Sequence, residues 1–122
     1  METKGTILVV DDSPTQQKLV AAALTKSGYR VLTADDGDEA LEVVARERPA
    51  IVVLDVVMPR KNGFQVCRQL KSAVETRDIK VLLLTSKGNE SDRFWGLKQG
   101  ADAYLTKPFE DDQLIAHIRQ LI

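Results

Sequence analysis

Ala50-Ile51-Val52-Val53-Leu54-Asp55 is the stretch whose reading decides the fold. An extended segment with aliphatic side chains at consecutive positions leaves neither face for water, so it suits a strand covered on both sides, as in a parallel sheet layered between helices. The run ends on an acidic residue. Downstream, Asn62-Gly63 opens a segment of helical spacing that puts Phe64, Cys67 and Leu70 on one stripe.

Other short runs rich in β-branched residues repeat the theme, and five strands are predicted: Thr6–Val10, Arg30–Ala34, Ala50–Leu54, Lys80–Leu84 and Ala103–Leu105. Helical segments alternate with them. Ser13-Pro14 supplies an N-cap and a first-turn proline, and Ser27-Gly28 closes that helix. Asp36 with Glu39 resembles a capping box, and Pro49 stops the second helix. A fourth helix starts near Asn89 to Ser91 and ends at Gly100, with Phe94, Leu97 and Ala101 expected to face inward. In the last, Leu114, Ile115, Ile118, Leu121 and Ile122 repeat at helical spacing after the acidic turn Glu110-Asp111-Asp112. Strand-helix repeated five times, with right-handed crossovers, predicts an α/β fold: an open parallel sheet with helices on both faces.

The bulk numbers agree with one domain over residues 1–122 and no output domain after it. The chain has 122 residues, is 43% hydrophobic and 29% charged, and carries a formal net charge of −1. A charge so near zero gives no broad attraction to nucleic acid or to an anionic membrane, and neither is expected as a partner. Cys67 is the single cysteine, so no internal disulfide or Cys/His zinc site is available. The polar start Met1-Glu2-Thr3-Lys4-Gly5 lacks the form of a secretory signal, and no run has membrane-spanning length; a cytoplasmic location is expected.

In open α/β sheets the chemistry collects outside the carboxyl ends of the strands. The first strand ends in Asp11-Asp12, the third in Asp55, the fourth in Thr85-Ser86, and Lys107-Pro108 follows the fifth. Carboxylates converging on one crevice repel one another, and Lys107 alone is too little to neutralise three of them. A hard divalent cation such as Mg²⁺ is the economical remedy. A cationic pocket with one carboxylate left as nucleophile suits phosphoryl transfer, with Thr85 and Lys107 placed to contact phosphoryl oxygens. Singly, each residue has an ordinary reading as a cap or surface charge; together, at the ends of four strands, they point to one site.

These residues resemble the receiver domains of bacterial two-component response regulators. Ile7-Leu8-Val9-Val10-Asp11-Asp12-Ser13 is similar to the family's first strand and acidic pair, and Val53-Leu54-Asp55-Val56-Val57-Met58-Pro59 to its phosphoacceptor strand and loop. Leu84-Thr85-Ser86 and Gly100-Ala101-Asp102-Ala103-Tyr104-Leu105-Thr106-Lys107-Pro108-Phe109 match the switch hydroxyl and the segment around the family's lysine. The resemblance implies a flavodoxin-like fold of strand order 2-1-3-4-5. It implies that a histidine kinase or phosphotransfer protein phosphorylates Asp55. Asp11, Asp12, Asp55 and the backbone carbonyl of Val57 would hold Mg²⁺, with Mn²⁺ as a substitute. Lys107 would bind the phosphoryl group, Thr85 would reorient toward it, and Tyr104 would turn inward and reshape the surface of the fourth helix, fifth strand and fifth helix for a downstream protein. A signalling monomer rather than an enzyme acting on other molecules is implied. Val57 and Lys87 depart from the family's chemotaxis member, where an amide and an acidic group flank the path of hydrolytic water; a long-lived phosphoform is the expectation.

The stretches Val57–Gln65 and Asp92–Gly96 look most like stand-alone receivers of chemotaxis-like systems controlling type IV pilus twitching motility. Signalling to a target and draining a kinase as a phosphate sink both fit. A phosphatase with an aspartyl-phosphate intermediate fits worse, because its nucleophile belongs in an Asp-x-Asp motif after the first strand. A degenerate, silent receiver conflicts with the complete residue set. Gly96 can lie against the sheet, which leaves Trp95 pointing largely outward; Trp95 reads either as a partly covered surface aromatic or as a partner contact, with Tyr104 beside it on the partner surface. His117 reads as structural or surface, Cys67 as a small hydrophobe, and Arg46, Glu47, Arg48 and Lys71 as solvated helix charges.

Overall fold

The computed structural model describes residues 5–86 and 88–122. Strands β1 (Thr6–Val10), β2 (Arg30–Ala34), β3 (Ile51–Leu54), β4 (Lys80–Thr85) and β5 (Ala103–Thr106) alternate with helices α1 (Pro14–Lys26), α2 (Gly37–Glu47), α3 (Gly63–Ser72), α4 (Glu90–Lys98) and α5 (Asp111–Leu121). All strand pairings are parallel, in the order β2-β1-β3-β4-β5. The chain therefore steps outward in both directions from β1, and the strand order reverses between β1 and β3. The expected flavodoxin-like architecture is the observed one, with strand ends displaced by a residue at most.

Alternating side chains send the sheet's two faces into separate cores. Leu8, Val10, Val52, Leu54, Val81 and Leu83 pack against α2 and α3 through Ala40, Val44, Val66, Cys67 and Leu70. Ile7, Val9, Ile51, Val53, Leu82 and Leu84 pack against α1 and α5 through Val20, Leu24, Leu114 and Ile118. Cys67 is fully buried, and that burial pushes its thiol up to about 12. Asn62 starts α3 with a complete capping box, donating to Gln65 Oε1 at 2.8 Å and accepting from the Gln65 N–H at 3.0 Å.

Several expectations about side-chain direction require correction. On α4, Phe94 is 63% and Leu97 47% exposed, so neither faces inward; Ala101, just past the helix, does. Gly96 is the residue that meets the sheet: a Cβ there would lie 2.9 Å from Leu83 Cδ1 and 3.0 Å from the Tyr104 ring. Helical rotation of about 100° per residue then turns Phe94 away from the sheet and leaves Leu97 at its flank. Lys71 is no solvated charge. Its ammonium sits 2.8 Å from Asp102 Oδ2 and donates to the carbonyl oxygens of Ile79 (2.8 Å) and Arg77 (3.2 Å), tying α3 to the starts of β4 and β5. Ile122 lies beyond α5 and is exposed. His117 is half-buried, in keeping with its structural or surface reading.

Candidate functional site

Parallel strands place all five carboxyl ends on one edge of the sheet, and the reversal between β1 and β3 opens a crevice there. Asp11 follows β1 and Asp55 follows β3, and the Asp55 N–H donates to the Val10 carbonyl at 3.0 Å, locking the two ends side by side. Gly63 closes the far end of the Asp55 loop. Its N–H donates to the Val56 carbonyl at 2.9 Å, and a Cβ on it would collide with the Asp55 carbonyl oxygen and come within 2.8 Å of Val56 Cα. Only glycine lets α3 start so close to the loop. Arg60, within this loop, takes a left-handed backbone (φ 65°) and reaches Asp36 Oδ2 at 3.1 Å, joining the loop to the cap of α2.

Carboxylate oxygens of Asp11, Asp12 and Asp55 lie within 4.8 Å of one another. Asp11 and Asp55 are buried, whereas Asp12 is exposed to solvent. Lys107 reaches in from the end of β5, with Nζ 3.3 Å from Asp11 Oδ2 and 4.0 Å from Asp55 Oδ2. Thr85, fully buried at the end of β4, stands beside the Asp55 carboxylate and helps hold its proton affinity down. The Val57 N–H approaches Asp55 Oδ1 at 3.4 Å, while the Val57 side chain is half exposed. Asp11 Oδ1 accepts the Ser13 N–H at 2.9 Å as α1 begins. The crevice brings together Asp11, Asp12, Asp55, Thr85 and Lys107.

Burial pushes the Asp55 carboxyl above its usual range; Lys107 pulls it down, Asp11 pushes it further up, and the Val57 N–H and Thr85 pull it down again. One ammonium against three carboxylates leaves two negative charges uncompensated. The donor set, three carboxylates offering only oxygen, suits a hard cation such as Mg²⁺. Oxygen donors of this kind do not suit a thiophilic metal.

Tyr104 is 3% exposed, stacked between Gly96 and the Arg93 guanidinium, which stands 5.5 Å from the ring centroid. The ring thus lies beneath the outer face of α4. Burial, with Asp92 next, pushes its phenol up, and Arg93 opposes them. Trp95 points outward at 51% exposed. Together with Phe94 and Leu97 it makes an apolar outer face on α4 that the sequence reading credited to Trp95 alone. Lys87 lies outside the described residues, and so does the expectation placed on it. Gln17 escaped notice as an ordinary polar helix residue. Its side-chain amide reaches the backbone at the end of β1, a contact that spacing gives no sign of.

The family model described as the response regulator receiver domain matches residues 7–119. Protein PilH of Pseudomonas aeruginosa is 43% identical over 116 residues, covering 95% of this chain and 96% of its own. Response regulator MprA of Mycobacterium leprae is 48% identical over 116 residues, a match that spans 50% of its length. The chain thus matches one relative nearly end to end and about half of the other. Among solved structures, the Vibrio cholerae chemotaxis protein CheY4 aligns with a TM-score of 0.90 at 30% identity, covering 96% of this chain and 98% of its own. A putative response regulator from Chloroflexus aurantiacus aligns with a TM-score of 0.92 at 32% identity, covering 96% of each chain. No helix among the described residues is long and apolar enough to cross a membrane.

Proposed function

The chain belongs to the response regulator receiver family, and on that premise we propose that it is a phosphorylation-controlled signalling switch in which Asp55 takes a phosphoryl group from a phosphohistidine. The observation that carries this reading is the convergence of Asp11, Asp12, Asp55, Thr85 and Lys107 on one crevice. Mg²⁺, held by Asp11, Asp12, Asp55 and the Val57 carbonyl, would neutralise charge on the carboxylates and the transferring group. An Asp55 carboxylate oxygen attacks phosphorus; the phosphorus–nitrogen bond breaks as the phosphorus–oxygen bond forms, and the departing imidazole takes up one proton. Lys107 pairs with one phosphoryl oxygen and the Thr85 hydroxyl donates to another, so the chain's part is positioning and charge compensation.

The donor is a histidine kinase or a phosphotransfer protein. An apolar groove lined by Leu19, Val20, Ala23, Pro108 and Phe109 runs between α1 and the β5–α5 turn and reaches Lys107, which suits a helix carrying the phosphohistidine. Thr85 moving toward the phosphoryl group biases α4 and β5, where Tyr104 and Gly96 are in contact. The outer face of α4, with Phe94, Trp95 and Leu97, then serves as the surface read by a downstream protein. The end-to-end match to PilH supports a place in chemotaxis-like control of twitching motility. Val57 has no group to orient an attacking water, so the phosphoform persists for minutes or longer; decay within seconds of donor removal counts against this.

Intact mass after incubation with Mg²⁺ and acetyl phosphate tests the central reading. A phosphoryl increment is expected on the native chain and none on Asp55→Asn. An increment that survives in Asp55→Asn overturns the assignment, and turnover of varied phosphate esters favours a phosphatase.

A further inference from the structure

Asp11 and Asp55 are both held by neighbours, but the exposed Asp12 carboxylate has no hydrogen bond or ion pair among the described residues. What orients it is the backbone it stands on. The peptide linking Asp11 to Asp12 is planar, so fixing the Asp11 carbonyl fixes the plane from which Asp12 departs. Gln17, one turn into α1, fixes it. Its Nε2 lies 3.1 Å from the Asp11 carbonyl oxygen, 2.9 Å from the Ala34 carbonyl oxygen and 2.9 Å from Asp35 Oδ1. The two amide hydrogens are thus shared among three acceptors.

This arrangement sits at the join of three elements. The Ala34 carbonyl at the end of β2 also accepts the Asp11 N–H at 3.2 Å, and Ser13 caps α1 by accepting the Gln16 N–H at 3.3 Å. Gln17 therefore bridges the ends of β1 and β2 from the first turns of α1. Without its donors the Asp11 carbonyl has to find water, and rotating that peptide swings Asp12 with it.

Resting on the cation site read above, we propose that Gln17 is a positioning residue for that site, holding the Asp11–Asp12 peptide so that Asp12 enters the coordination sphere already oriented. Residues that orient metal ligands without touching the ion typically govern affinity by about 10-fold or more. Gln17 acts through the backbone, and the low end of that range applies.

Calorimetric titration of the full chain with Mg²⁺, and separately with Mn²⁺, tests this on native protein and on Gln17→Met, which keeps the side chain's length and removes its donors. Dissociation constants about 10-fold weaker are expected in Gln17→Met. The Mg²⁺ concentration giving half-maximal phosphorylation by acetyl phosphate should rise by the same factor, with the rate at saturating Mg²⁺ close to native. Native affinity in a folded Gln17→Met overturns the proposal, as does a lost saturating rate with unchanged affinity. Should Gln17→Met fail to fold, Gln17→Asn, one methylene too short to reach Asp11, carries the same expectation and the same refutation. A native chain that binds neither cation overturns the site reading itself, whereas native binding with an indifferent variant overturns only the role of Gln17.

Discussion

At the scale of single residues, the Asp55 carboxylate is set against itself. Burial and Asp11 raise its proton affinity, and Lys107, Val57 and Thr85 only partly offset them. A folded pKa above the unfolded one means that the native state binds the proton more tightly, so native stability falls as pH rises through that window. Asp55→Asn removes the charge while keeping the shape. In metal-free protein it should raise the melting temperature at pH 7 by about 4 °C, roughly 1 kcal/mol for a chain of this size. The difference should shrink toward pH 4 and vanish or reverse with saturating Mg²⁺, as thermal melts across pH will show. The site was legible before any fold was in hand, because acidic, hydroxyl and basic residues at strand ends carry their chemistry in their identity. Gln17 was not legible: a glutamine in the first helix announces nothing, and its role comes from where β2 happens to end.

Elements were read less evenly than residues. Strands and caps came through because continuous β-branched runs and Ser-Pro or Asn-Gly starts are local signals, and local physics decided them. The direction of α4 came through only in part, with Gly96 against the sheet and Trp95 outward as expected. Phe94 and Leu97 at helical spacing look like a core stripe, but the helix meets the sheet through Gly96, whose lack of a side chain is the contact. Lys71 misled in the same way, since its partner Asp102 lies far along the chain. Gly96→Ala should gain about 1 kcal/mol of helix propensity and lose more by pushing Leu83 and the Tyr104 ring, for a net loss of about 1–2 kcal/mol in urea denaturation. Trp95→Ala should leave stability within about 0.5 kcal/mol of native, as suits an exposed position. Lost affinity of Trp95→Ala for the downstream partner is the matching expectation in binding assays.

At the scale of the whole molecule, cation binding would be coupled to stability. Three carboxylates at one sheet edge repel in the native state and separate on unfolding, so an ion they share binds the folded form alone. Mg²⁺ at a hundred times its dissociation constant should add about 2.7 kcal/mol, close to 10 °C in melting temperature, and chelation should return it. Asp12→Ala should abolish the shift while leaving the metal-free melt near native, because Asp12 is exposed and packs against nothing in either core.

Parallel strands also give the sheet a second edge, where their amino ends lie. The α3–β4 connection there, around Val74 and Glu75, is open to solvent and stands a full strand length from Asp55. That makes it a permissive graft point. A fluorescent reporter spliced between Val74 and Glu75 would ride on the domain without entering the crevice around Asp55.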